Sequence, residues 1–213
     1  MSPRPDGNPR TPRYNELYDR ILRKVDEVAY LPLVDQVEPG QREALGAYEA
    51  LLRSPDFSAD AARALVRRLS AEGRIDRVVA LSCLHAIEAH PRVKNYAEAA
   101  RLVGEQEVAA LQLGGPSLSR NLASVDRHRG VLAFLLGNYD VALDYFSRTF
   151  ERERSAGNLS NVLATLLRLG EEEEARELLA QVRGSLPRPL VASLLDLIRL
   201  DPDLALLRTE IHP

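Results

Sequence analysis

Four glycine-led segments constrain this chain more than any other feature: GRIDRVVALS from Gly73, GEQEVAALQL from Gly104, GNYDVALDYF from Gly137 and GEEEEARELL from Gly170. Their glycines are spaced by 31, 33 and 33 residues. Each follows one apolar-periodic stretch and precedes another, which predicts helix, tight turn, helix, with glycine in the left-handed conformation that a helix C-terminus favours. Small residues recur five positions after the glycine, at Ala109, Ala142 and Ala175, and let two helices approach closely. Large residues recur nine positions after it, at Leu113, Phe146 and Leu179, and are expected to fill the space against the next pair. One such pair cannot bury its apolar face alone, so the pairs must stack. Almost nothing alternates with period two, and the fold class is therefore all-α.

The organisation follows. Residues 1–10, MSPRPDGNPR, read as a flexible tail, and residues 11–57 as N-terminal helices with a degenerate first repeat at Gly40. Thr11 and Pro12 should open the first helix, Leu17, Ile21, Val25 and Val28 continue it, and Pro32 ends it. Residues 58–188 hold the four helix pairs, and residues 189–213 two capping helices with a turn at Asp201 and Pro202. The unit from Gly104 ends early at Gly114, Gly115 and Pro116, which predicts a kink or widened spacing there. For the helix from Pro189 to about Leu200, which carries only Asp196 and Arg199 as charges, there are two readings. Either Leu204, Leu206 and Leu207 fold back over it, or it is an edge through which the protein forms a homo-oligomer.

Composition bounds the function. The formal net charge of −3 provides no global field for nucleic acid, and the chain has no tryptophan and only four phenylalanines to stack on bases. No run approaches the roughly 20 apolar residues of a membrane-spanning helix, so neither nucleic acid nor membrane is an expected partner. A single cysteine, Cys83, cannot form an internal disulfide and fits a cytoplasmic location.

No catalytic, phosphate-binding or dinucleotide motif is present, so an enzyme is the weakest reading. No cofactor is expected. Cys83, His85 and His90 supply too few ligands for zinc and read as a buried thiol with two partly exposed imidazoles. His128, between Arg127 and Arg129, reads as charged helix surface. The acidic run Glu171 to Glu174 occupies a first helical turn, where carboxylates offset the helix dipole, and reads as a solvated face. Glu151 to Arg154 read as a mixed-charge helix end.

Gly130, Gly137, Tyr139, Ala142 and Phe146, followed by Gly170, Ala175 and Pro187, resemble the tetratricopeptide repeat over about Ser58 to Pro187, without that family's early tryptophan. The resemblance implies a right-handed α-solenoid of stacked antiparallel helix pairs whose first helices line a concave groove. Arg63, Arg67, Lys94, Arg101 and Arg127 would then form a basic half that grades into Phe134, Leu135 and Leu167. Cations that hold carboxylates beside an apolar strip suit an acidic peptide. Part of the set is similar to the carboxylate-clamp subclass: Arg63 stands where that subclass has lysine, and Asn95 matches its asparagine. Arg67 and Ser124 depart from it. The candidate binding residues are thus Arg63, Arg67, Lys94, Asn95, Arg101, Arg127 and Phe134. The implied function is a protein- or peptide-binding adaptor or chaperone-like scaffold; the alternative is a regulatory sensor whose groove takes a peptide or small ligand. The competing reading of the same arginines is solvated surface paired with Asp60, Asp76 and Glu98.

Overall fold

Ser58, Asp76, Asn95 and Ser155 each end an extended or turn segment by accepting a hydrogen bond from a backbone N–H three residues on, at 3.3, 2.9, 3.4 and 3.1 Å. Each such cap is worth about 1 kcal/mol because it satisfies a donor that the helix leaves open. The computed structural model describes residues 39–211. The tail, the helix expected from Thr11 and the last two residues lie outside the described residues.

The described residues form nine α-helices: α1 (Pro39–Arg53), α2 (Ala59–Ala71), α3 (Arg77–Ala89), α4 (Tyr96–Leu113), α5 (Leu118–Leu135), α6 (Tyr139–Arg152), α7 (Ala156–Arg168), α8 (Glu172–Ser185) and α9 (Arg188–Leu200). A 3₁₀ helix, Pro202–Ile211, follows. No strand occurs among the described residues, so the all-α class holds. The chain divides between Leu135 and Leu136 into two compact units, and the division falls within the predicted array of pairs.

In the N-terminal unit α1, α2, α3, α4 and α5 each pack on the next, and α5 also meets α3. Tyr48, Ala62, Val66, Leu69, Ile75, Cys83 and Ile87 form one core. Tyr48 donates its hydroxyl to the carbonyl of Cys83 at 2.8 Å, so its buried polar atom is satisfied. Val78, Leu81, Leu102, Ala109 and Ala110 join α3 to α4, and Ala89, Ala99, Val103, Val125 and Leu132 bring in α5.

Gly73 and Gly170 make the expected turns, at φ +68° and +78°. In both, the residue after the glycine donates back across the helix end: Arg74 to Leu69 and Glu171 to Leu166, each at 2.9 Å. That six-to-one bond is the Schellman closure, which a left-handed residue makes possible.

Gly104 does not turn the chain. It lies inside α4, which runs unbroken for 18 residues, and the break comes at Gly114 and Gly115, φ +56° and +68°. The residues around Gly104 are strong helix formers, and one interior glycine costs only about 1 kcal/mol against alanine. Glu105, just after that glycine, pairs with Arg101 one turn earlier, as a continuous helix allows. The register error reaches Leu113, which is 57% exposed rather than packed, while Phe146 and Leu179 at the matching positions are buried.

The C-terminal unit closes around α7, which touches α6, α8, α9 and the 3₁₀ helix. Leu159, Val162, Leu163 and Leu166 of α7 are fully buried, together with Leu178, Leu190, Leu194, Ile198, Leu204 and Leu207. The fold-back of the last segment therefore occurs through Leu204 and Leu207, whereas Leu206 faces out. Arg208 donates to the carbonyls of Ile198 and Asp201, both at 3.2 Å, and satisfies acceptors at the end of α9. The acidic run is not wholly solvated: Glu171 and Glu174 are buried. Glu174 falls on the face of α8 that Ala175, Leu178 and Val182 bury, so helical period overrides charge there.

Candidate functional site

All seven candidate binding residues lie in the N-terminal unit, on α2, α4, α5 and the α3–α4 connection. The structure gathers two of them around Glu88, a carboxylate that sequence reasoning did not single out. Arg63 donates Nε to Glu88 Oε1 at 2.7 Å and Nη2 to Oε2 at 3.1 Å, and its Nη1 reaches Asp60 at 2.8 Å. Asn95 donates Nδ2 to Glu88 Oε2 at 3.2 Å, and the backbone N–H of Asn95 donates to the Glu88 carbonyl at 2.8 Å. Glu88 is buried, so this fork and amide supply the partners that a desolvated carboxylate requires. Its hydrogen bond with Glu88 is the main influence raising the Arg63 pKa and keeps the guanidinium charged.

Arg101 is likewise engaged. It donates Nε and Nη2 to Glu98 at 2.7 and 2.6 Å and also pairs with Glu105. The Arg101 hydrogen bond holds the Glu98 carboxyl below its ordinary range, with a further contribution from the charge of Arg63. The sequence reading of arginines paired with Asp60 and Glu98 is thus realised, although Asp76 caps α3 and accepts from Gln41 instead.

Arg67 and Lys94 differ. Both are exposed, and neither forms a salt bridge with a carboxylate among the described residues. Arg67 lies one turn after Arg63 on α2, so the two share a helix face. Lys94 adjoins Asn95 and has φ +54°, the one non-glycine residue with positive φ among the described residues. A left-handed lysine costs about 1 kcal/mol relative to glycine. Its own N–H donating to His90 at 3.0 Å and the Asn95 N–H donating to Glu88 hold it there.

Arg127 and Phe134 stand on α5. Arg127 donates to Ser124 Oγ at 3.3 Å, at the edge of a polar layer between helices. In that layer Gln106 donates Nε2 to Ser124 at 3.3 Å and its Oε1 meets His128 Nδ1 at 2.8 Å, while His128 Nε2 meets Ser82 Oγ at 3.3 Å. His128 stacks on His85 with ring centroids 4.3 Å apart, and His85 Nδ1 donates to the Ala99 carbonyl at 3.2 Å. His85 and His128 are both buried, which corrects the reading of His85 as partly exposed and of His128 as charged helix surface. The available signal was helical spacing: Val125, His128 and Leu132 share one face of α5.

Ser82, His128 and Gln106 stand in the order of nucleophile, base and orienting group. They are held on three helices, and Ser82 lies within α3, where backbone N–H groups are committed to the helix and offer no donors for a developing oxyanion. Desolvation lowers the His128 pKa well below its ordinary value, as do His85 and Arg127, which also weakens it as a base at neutral pH. Cys83, His85 and His90 point to different surroundings: the thiol is in the first core, and His90 stacks on Phe57 at 4.0 Å. No group of three or more His, Cys, Asp or Glu side chains is arranged to hold a metal ion among the described residues. No helix among them is long and apolar enough to cross a membrane.

Fold and site together define an all-helical protein with a carboxylate-anchored basic cluster on its N-terminal unit. No family model, curated protein or solved structure matches the chain.

Proposed function

We propose that this protein is a non-catalytic, tetratricopeptide-like helical array that binds an acidic segment of another protein, as an adaptor or chaperone-like scaffold. Lys94 carries the reading: an exposed cation held in a strained backbone conformation beside Asn95, Glu88 and Arg63. Strain that persists in an ordered connection is a reason to look for function there. Arg63 and Arg101 already hold carboxylates of this chain, so Arg67 and Lys94 are the cations offered to a ligand, and Arg63 ties the helix of Arg67, through Glu88 and Asn95, to the connection that carries Lys94. The packing of each helix on the next within the N-terminal unit supports the array. The buried Cys83 thiol, which burial and then Glu49 push up to about 12, suits the reducing cytoplasm as its location.

The test is fluorescence anisotropy with a labelled decapeptide rich in aspartate and glutamate. Arg67→Glu with Lys94→Glu should weaken binding at least tenfold, and added salt should weaken the unaltered protein's binding as well. Lys94→Gly should also weaken binding while raising stability by about 1 kcal/mol, because glycine accepts positive φ. Equal affinity in the unaltered protein and the charge-reversed double variant would sink the proposal.

A further inference from the structure

The His85–His128 pair is a second built feature of the N-terminal unit, independent of the basic cluster. Its two rings stack at 4.3 Å with an interplanar angle of 24°, one from α3 and one from α5. Side chains from α3, α4 and α5 complete the layer: Ser82, Gln106 and Ser124. The hydrogen bonds specify both tautomers. A carbonyl only accepts, so His85 carries its proton on Nδ1, facing Ala99. Gln106 gives its amide hydrogen to Ser124, so its Oε1 accepts from His128 Nδ1 and leaves Nε2 to accept from Ser82. Both imidazoles are neutral in this arrangement.

A proton added to either ring has little to compensate it. Glu88 on α3 is held by Arg63 from α2. On α4, Glu98 and Glu105 are held by Arg101, and Glu107 by Arg129 of α5. Arg127 and Arg129 flank His128 along α5, with Asp126 one position further back, and the charges that bear on His128 are a protonated His85 and Arg127, both of which oppose its protonation.

We propose that the stacked, buried His85–His128 pair makes the packing of α3, α4 and α5 an acid-sensitive latch, closed while both rings are neutral and opened when acid forces a proton onto the pair. The direction follows from proton binding. Burial lowers both histidines in the folded chain, whereas an opened chain takes up protons below about pH 6.5. Stability supplied by the pair is complete above that pH and is lost as pH falls from there through the folded values. Each histidine that stays neutral when closed shifts the closed-to-open ratio about tenfold per pH unit, so two approach about 100-fold.

Cys83 of α3, the chain's only cysteine, is buried in the core that α3 shares with α1 and α2, so its reaction reports an opening that carries α3 out of that core. Its reaction with 4,4′-dithiodipyridine, a reagent active in acid, is followed on the full chain from pH 7 to 4.5. The rate is divided at each pH by that of the urea-unfolded chain. The normalised rate should climb between about tenfold and 100-fold per pH unit below pH 6, and His85→Phe, which keeps an aromatic stack, should reduce that dependence to about tenfold or less. A dependence unchanged in both His85→Phe and His128→Gln overturns the proposal. Proton NMR of the unaltered chain decides the same point without a core substitution. The resonances of His85 and His128 should hold their neutral shifts to below pH 6 while the chain stays folded. Titration of both above pH 6 in the folded chain overturns the latch.

Discussion

The guanidinium of Arg63 closes on the carboxylate of Glu88, a residue 25 positions along the chain, through two hydrogen bonds of 2.7 and 3.1 Å. The two ends are unequal. The Glu88 side chain is 5% exposed and that of Arg63 25% exposed, so the carboxylate depends on the pair more than the guanidinium does.

That asymmetry predicts the outcome of a double-mutant cycle. Arg63→Ala leaves a buried carboxylate with the Asn95 amide as its remaining side-chain donor among the contacts described, and should cost about 3 kcal/mol. Glu88→Ala releases an arginine that still reaches Asp60 and water, and should cost about 2 kcal/mol. Urea denaturation of both single variants and the double variant should give a coupling near 2 kcal/mol. A coupling under about 0.5 kcal/mol would place the pair with ordinary surface salt bridges instead.

Glycine substitutions separate a helix interior from a turn. At Gly104 an added Cβ meets nothing within 4 Å and φ is not positive, so Gly104→Ala should raise stability by about 1 kcal/mol. Gly170, at φ +78°, should lose at least about 1 kcal/mol on the same change. Thermal unfolding of the two variants should therefore move the midpoint in opposite directions. A lower midpoint for Gly104→Ala would mean that α4 is broken at that residue.

Helix positions were legible because capping and turn chemistry is local: Ser58, Asp76, Gly73 and Gly170 act on residues within one turn of themselves. Gly104 misled for the same reason. A lone glycine carries the same local signal in a turn and in a helix, and continuity was decided by the Gly114, Gly115 and Pro116 break ten residues later. Arg63 and Asn95 could be named from sequence, whereas Glu88 could not be assigned to them, since the pairing crosses two helices. One signal was readable. Glu88 is the only charged residue after the first position of RVVALSCLHAIEA, and a charge on a helix that apolar requires a partner. His128 was hidden by flanking arginines, although its spacing from Val125 and Leu132 already placed it inward. The distinction between Arg101, fully engaged, and Arg67, open to solvent, depends on carboxylates that single-helix spacing does not rank.

The C-terminal segment gives the last prediction. Leu204 and Leu207 are fully buried against the end of the C-terminal unit, while Leu206 between them is 51% exposed. Three residues per turn in a 3₁₀ helix align positions 204 and 207 on one face and leave 206 off it. Removing a buried leucine side chain forfeits its transfer free energy and leaves a cavity, so Leu204→Ala and Leu207→Ala should each cost about 2 to 4 kcal/mol. Leu206→Ala should stay within about 0.5 kcal/mol of the unaltered protein. The three variants, compared by urea denaturation at one pH, test whether this segment is part of the core or a loose tail. Equal small losses for all three would mean that it does not cover α9 in solution. A large loss confined to Leu204 and Leu207 would make it an integral helix of the unit, with Arg208 closing the end of α9.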